Sequence, residues 1–228
     1  MPRVLFTGLL CALAAGCAQE VSVNVRGGDR PPDPGYLQVT SGVDVDRFQI
    51  VLRNLRLQES PTDGGVESPG VARIGPGAYL VDLPAQRLSG GTFTEVVKNF
   101  PIGAKGFYEM DIDLSPVTQA DVQAAPELGT ILGKTFVIQG HNAQNVPFTF
   151  DSTMTRVLVR PSVFRMGLNH NNLDVNIEAN KWFVNPGGGF LDPASNDPAV
   201  RAQIEANVAA SIDAYEDDDM NGVPDPLG

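Results

Sequence analysis

The chain is poor in the residues that build most catalytic and metal-binding sites. Its 228 residues include two Cys, two His and one Trp. Two cysteines exclude a disulfide-rich framework and a thiolate zinc cluster. His141 and His170 stand beside turns, and neither belongs to a motif with Ser and Asp or with Cys, so nucleophilic catalysis lacks its components. We therefore expect a protein without enzymatic activity.

Positive charge is also scarce. The chain has 16 Lys and Arg against 27 Asp and Glu, which gives a formal net charge of −11. A nucleic-acid partner requires clustered Lys and Arg, so this balance argues against one. Residues 213–228 contain six acids and no Lys or Arg, which concentrates the negative charge at the C-terminus.

No apolar run reaches the roughly 20 residues that a transmembrane helix needs. The N-terminal 17 residues read MPRVLFTGLLCALAAGC, with Arg3 followed by an apolar stretch over residues 4–15. A charged start, a short apolar stretch and small residues at its end are typical of a secretory signal. We therefore expect the mature protein to begin near Cys17.

The end of this segment, Ala14-Ala15-Gly16-Cys17, resembles the lipobox of bacterial lipoproteins. The resemblance implies that residues 1–16 are removed and that the Cys17 thiol carries diacylglycerol. Two or more acyl chains on one residue give stable membrane anchoring. Because Ala18 rather than Asp follows the cysteine, the resemblance to Gram-negative lipoproteins implies the outer membrane. The alternative is a cleaved signal with an incidental cysteine.

Alternation with a period of two dominates residues 36–196. Phe48, Ile50 and Leu52 share one face, and the apolar positions then change parity, which predicts a bulge near Arg53-Asn54. One-sided alternation predicts an antiparallel β-sandwich, Ig-like or prealbumin-like, with one packed and one wet face. Further strands are expected at 77–83, 107–114, 134–139, 147–160 and 172–184, and a short helix near 119–128.

The segment 107–114, FYEMDIDL, shows the cleanest alternation. It predicts a core face and a wet face that carries three carboxylates. The core face has Tyr108, Met110, Ile112 and Leu114, and the wet face has Glu109, Asp111 and Asp113.

The order of elements over residues 45–150 resembles that of uncharacterised β-sandwich lipoproteins of Gram-negative bacteria. The resemblance lies in the strand at 47–57 and the segments GAYLVDL, PIGAKGFYEMDIDL and VPFTF. It implies a binding or structural module of the cell envelope, with an envelope protein or a glycan as partner. One branch of these proteins binds copper, so a copper site with His141 and His170 as ligands is the alternative function.

A longer helix is expected near the C-terminus. Asp197 provides an N-cap and Pro198 the first helical residue. Apolar residues then recur at spacings of four, four, four and three, which predicts an amphipathic helix over 197–216. These residues are Val200, Ile204, Val208, Ile212 and Tyr215.

The acidic end reads DDDMNGVPD from Asp217. Oxygen ligands fall at the odd positions of a calcium loop and Gly222 at its sixth. The pattern resembles EF-hand, dockerin and thrombospondin type 3 loops, which implies a calcium site. The bidentate Glu expected at position 12 is missing, so binding should be weak, and a solvated acidic tail is the alternative. The implied ligands are Asp217, Asp219, Asn221, the Val223 carbonyl and Asp225, with Asp218 pointing away.

These signals divide the chain into five parts. The first two are a signal peptide (1–16) and a lipidated cysteine with a flexible tether (17–35). Alternation at 20–26 allows the tether to begin with a strand. The other three are a β-sandwich (36–196), a helix (197–216) and an acidic tail (217–228).

Overall fold

The computed structural model describes residues 19–27, 38–39, 43–62, 67–88, 93–103, 105–142, 144–167 and 171–225. The described chain is mostly β, which confirms the all-β character that alternation predicted. Its strands are β1 (Gln19–Gly27), β2 (Gln38–Val39), β3 (Val43–Gln58), β4 (Ala72–Pro84), β5 (Thr94–Ile102), β6 (Lys105–Leu114), β7 (Phe136–His141), β8 (Pro147–Ser152), β9 (Arg156–Met166), β10 (Asn172–Ile177) and β11 (Ile212–Glu216). Its helices are α1 (Ala85–Leu88), α2 (Gln119–Ala124), α3 (Pro198–Ala210) and 3₁₀ turns at Pro126–Ile131 and Ala179–Lys181.

The strands form two sheets. Sheet A has the order β11-β10-β1-β5, and sheet B has the order β8-β7-β3-β6-β9, with β2 and β4 also paired to β3. The described pairs are antiparallel except β1 and β10, which run parallel. β1 confirms the strand that alternation at 20–26 allowed. Because β1 lies inside sheet A, the flexible tether predicted for 17–35 does not extend over 19–27.

Both sheets contribute to one apolar core. Trp182 is fully buried there, and its ring centroid lies 4.5 Å from that of Phe48. A smaller cluster around Val51 forms on the outer face of β3, where α2 and the 3₁₀ turn at 126–131 cover the sheet. The main core includes Val21, Val23 and Val25 of β1, Leu173, Val175 and Ile177 of β10, and Ile50, Leu52, Ile112 and Ile138 of sheet B.

The predicted bulge in β3 is confirmed. Asn54 has a φ of 46°, and the pairing of β3 with β4 shifts register between Arg53 and Leu55. A second register shift, between β6 and β9, contradicts the predicted faces. The register with β9 shifts between Phe107 and Glu109, so Phe107 enters the core and Tyr108 is 51% exposed.

The carboxylates of β6 are not on a wet face. Glu109 is 2% exposed and Asp111 is fully buried. The chain that links β3 to β4 covers them, because Thr62 donates its backbone N–H to Glu109 and Ser68 hydrogen-bonds to Gln58 beside Asp111. Alternation indicated two faces correctly, but a loop covers the second one.

The C-terminal helix is shorter than predicted. Asp197 caps α3 as expected, and its carboxylate accepts a hydrogen bond from the Ala199 N–H. The helix ends at Ala210, and residues 212–216, assigned to the same helix, form β11 against β10. Within the ranges the model describes, every helix is too short or too polar to cross a bilayer.

Candidate metal centre

The acidic loop, residues 217–225, starts where β11 ends. Leu173 of β10 pairs with Glu216, and the Asp217 N–H then donates to the Asn172 carbonyl at 3.1 Å. Asp217 is only 1% exposed as a result. A strand, rather than the predicted helix, therefore delivers the loop and fixes its first carboxylate against sheet A.

The loop turns back over Asp217. The Asp217 carboxylate accepts hydrogen bonds from the N–H groups of Asn221 (3.1 Å) and Gly222 (2.6 Å). Gly222 has a φ of 76°, and a Cβ atom there would lie 0.8 Å from Nη1 of Arg26. The turn consequently needs glycine at the position where the calcium-loop pattern has it.

Three carboxylates meet in this turn. Asp217, Asp219 and Asp225 each offer an oxygen, and these oxygens lie within 4.8 Å of one another. Asp225 is fixed by two hydrogen bonds, from its own N–H to the Glu216 carbonyl (2.9 Å) and from the Asp218 N–H to its carboxylate (2.8 Å). The cluster can hold a metal ion.

The Asn221 side chain adjoins this cluster. Its oxygen accepts a hydrogen bond from the Val223 N–H at 2.6 Å, and its amide nitrogen donates to Asp219 at 2.7 Å. Because an amide oxygen has two lone pairs, it can keep the bond from Val223 and still bind an ion.

Sequence reasoning missed the part that Asp218 plays. Its carboxylate accepts hydrogen bonds from the N–H groups of Asn171 (2.8 Å) and Asn172 (3.2 Å), which ties the loop to the start of β10. Asp218 also forms a second carboxylate group with Glu216 and Asp225. The alternation of acids gave no signal for this contact, because its partners are backbone groups about 47 residues away.

The electrostatics of the loop favour a cation. Burial raises the pKa of Asp217, and the neighbouring Asp219 raises it further, whereas the Gly222 and Asn221 amides oppose the shift. Arg26 approaches from β1, donating to the Asn221 carbonyl at 3.3 Å, with its guanidinium 5.6 Å from the Phe93 ring centroid. A divalent ion between the three carboxylates would relieve their mutual repulsion.

Of the remaining predicted site residues, the structure describes His141. Cys17 and His170 lie outside the described residues. His141 is at the end of β7, where its Nδ1 lies 2.8 Å from an Asp46 oxygen. Trp182 is in the core and donates its indole N–H to the Ser211 hydroxyl at 2.7 Å.

No protein-family model, curated protein or solved structure matches the chain.

Proposed function

We propose that this chain is a lipid-anchored, non-catalytic binding or structural module of the cell envelope, and that its C-terminal loop binds Ca²⁺. The observation that carries the calcium part is the convergence of Asp217, Asp219 and Asp225 within 4.8 Å. All three ligands are oxygens, which suit hard divalent cations, whereas copper and zinc sites favour imidazole and thiolate. Mg²⁺ requires near-ideal octahedral geometry, so an irregular loop favours Ca²⁺.

The ion would stabilise the acidic loop against sheet A. It neutralises carboxylates that follow directly on β11, and β11 is the edge strand of sheet A. Without the bidentate Glu of an EF-hand, affinity should lie at the weak end of such sites, with a dissociation constant of about 1 mM.

Calcium should therefore raise the melting temperature of the protein. At 10 mM Ca²⁺ and a Kd of about 1 mM, mass action gives about 1.4 kcal/mol, or roughly 3–6 °C for a domain of this size. Differential scanning fluorimetry with Ca²⁺, Mg²⁺ and EDTA measures this. We expect Asp217→Asn and Asp219→Asn to lose the response.

Glu127→Gln is the matched control, because Glu127 is an exposed carboxylate on the 3₁₀ turn at 126–131. It should keep the full calcium response. Asp218→Asn is unsuitable as a control, since it weakens the ties to Asn171 and Asn172 even without calcium. An unchanged melting temperature at 10 mM Ca²⁺, or an equal response in every variant, would mean that the loop is a solvated tail.

The position of β1 supports the anchoring part of the proposal. β1 begins at Gln19, two residues after Cys17, and two residues of extended chain span at most about 7 Å. A lipid on Cys17 would thus hold this end of sheet A close to the membrane. Ser22 pairs with Asn172, whose carbonyl binds Asp217, so the calcium loop belongs to the same end of the sheet.

A further inference from the structure

A buried polar cluster lies between sheet B and the chain that links β3 to β4. Asp111 is at its centre and is fully buried. Gln58 donates to its Oδ2 at 2.7 Å. Its Oδ1 is buried and has no hydrogen-bond partner among the described residues. An ionised carboxylate with an unpaired oxygen is costly in such a place.

The cations around Asp111 are bonded to other carboxylates. Arg56 of β3 bonds to Asp113 with both terminal nitrogens (2.9 and 2.7 Å), while its Nε lies 3.7 Å from Asp111. Arg53 is engaged with Asp121. Val157, Val159 and Pro161, the β9 residues paired with the three acids of β6, do not titrate. The charged groups facing the cluster are Lys105, Glu109 and Asp113 of β6, Arg53 and Arg56 of β3, Arg73 of β4, and Glu59 and Glu67 of the loop.

A short chain of hydrogen bonds connects Asp111 to the loop. The Asp111 carboxylate orients the Gln58 amide, whose oxygen accepts from both the N–H (3.0 Å) and the hydroxyl (3.1 Å) of Ser68. The Ser68 hydroxyl in turn accepts from the Glu59 N–H at 3.3 Å. This amide therefore links Glu59 and Ser68, one from each described end of the loop, to Asp111. Other contacts hold the same ends: Thr62 bonds to Glu109, and Lys105 bonds to Glu59 and to the Gly70 carbonyl.

We propose that Asp111 is a proton-binding site that controls the position of the loop. Segments 59–62 and 67–71 close over sheet B when the Asp111 carboxyl is protonated, and they loosen when it ionises. Burial raises the pKa of Asp111, and Glu109 and Asp113 raise it further, against the opposing effects of Gln58 and Arg56. The closed loop thus binds the proton more tightly than an open one, in which Asp111 is solvated.

Closure of the loop is linked to protonation of Asp111, and this linkage sets the direction in which pH changes the open population. The stabilisation of the closed loop is complete below the ordinary Asp value of about 3.9 and is lost as the pH rises through the raised pKa. Between these two values the open population should grow about tenfold per pH unit, and above the raised pKa it should level off.

Hydrogen–deuterium exchange of the Ser68 amide in the full-length protein tests this, with wild type and Asp111→Asn compared at each pH from about 4 to 8. Asn keeps an oxygen for Gln58 and cannot ionise. The intrinsic exchange rate cancels in the ratio, so protection in the variant relative to wild type should rise with pH and then level off. A ratio that does not change with pH overturns the proposal.

Asp113→Asn is the matched control. It neutralises an acid two residues away and leaves Asp111 able to ionise, so exchange of the Ser68 amide should keep the dependence on pH that Asp111→Asn removes. A second measurement does not depend on how the variants fold. In wild type, the ¹³C carboxyl resonance of Asp111 should titrate with a midpoint above the ordinary Asp pKa. A midpoint at or below about 3.9 would refute the proposal.

Discussion

At the residue scale, Gly140 is a position where one added methyl group should destabilise the fold. A Cβ atom on Gly140 would lie 2.0 Å from the Asp44 carbonyl oxygen and 3.0 Å from the Phe148 ring. The first contact is with backbone of the paired strand β3, which cannot rotate away as a side chain can.

We expect Gly140→Ala to lower the free energy of unfolding by about 1–3 kcal/mol, the usual cost of overpacking. Urea denaturation followed by the fluorescence of the single Trp measures it. Gly103→Ala is the control, because nothing lies within 4 Å of its Cβ position, and it should change stability by less than about 0.5 kcal/mol. Equal effects of the two substitutions would show that β3 and β7 are not this close at Gly140.

The contacts of individual side chains explain why the acids of the acidic loop differ in role. Asp217, Asp218 and Asp219 are consecutive and chemically identical, yet Asp217 is buried and Asp219 is exposed. Asp218 is turned towards the backbone of β10. What separates them is the partner that each side chain meets, which is not encoded in their local sequence.

At the element scale, the start of α2 depends on a charge from a neighbouring strand. Thr118 and Asp121 form a capping box, and Arg53 of β3 binds both oxygens of Asp121 at 2.8 and 2.7 Å. The Arg53 guanidinium and Thr118 hold the pKa of Asp121 well below its usual range. The stabilisation is therefore present above the unfolded value of about 3.9 and is lost as the pH falls.

Asp121→Asn should lower the stability of the protein at pH 7 by about 1.5–3 kcal/mol, the range for hydrogen bonds to charged groups. The difference from wild type should shrink as the pH falls below about 3.9. Thermal melts at pH 7, 4 and 2.5 measure it. Asp197→Asn is the control, since Asn caps a helix about as well as Asp. A gap between Asp121→Asn and wild type that is as large at pH 2.5 as at pH 7 would contradict the role of the ionised carboxylate.

The end of α3 shows tertiary structure overriding a helical pattern. Ile212 and Tyr215 continue the apolar spacing, but β10 offers them a strand partner. Arg160 of β9 donates to the Ala209 and Ile212 carbonyls, which satisfies backbone acceptors at the point where the helix stops. Helical spacing alone cannot exclude a strand in its last five residues.

At the scale of the whole molecule, the first and the last strand of the described chain belong to the same sheet, sheet A. β1 pairs with β10, and β10 pairs with β11. Because residues 22–27 need residues 172–177 as partners, sheet A cannot be completed until nearly the whole chain is available. The proposed anchor and the proposed calcium loop therefore act on one sheet.

The anchor itself gives the last prediction. Intact-mass spectrometry of protein extracted from membranes should show a chain that begins at acylated Cys17. Cys17→Ala should release the protein from the membrane fraction, because the acyl chains supply the anchoring free energy. Cys11→Ala, within the apolar stretch of the proposed signal, is the control and should remain anchored. Membrane-bound Cys17→Ala protein would contradict the anchor.

Features that depend on residues close together in the chain could be predicted from the sequence. Alternation predicted a β protein and the bulge beside Asn54, Asp197-Pro198 marked the start of α3, and the spacing of the terminal acids identified the cluster that can hold an ion. Each of these is a local property, because strand parity, helix capping and turn formation involve residues that are close in sequence.

Only the tertiary structure decided which surfaces are covered and which strands meet. The second face of β6 is buried because a distant loop binds Glu109 and Gln58, and residues 19–27 lie inside a sheet because β5 and β10 pair with them on both sides. Likewise, 212–216 became a strand because β10 had a free edge. Burial and pairing are fixed by contacts between residues far apart in sequence, so a period of two or of 3.6 shows that a face exists but not what lies against it.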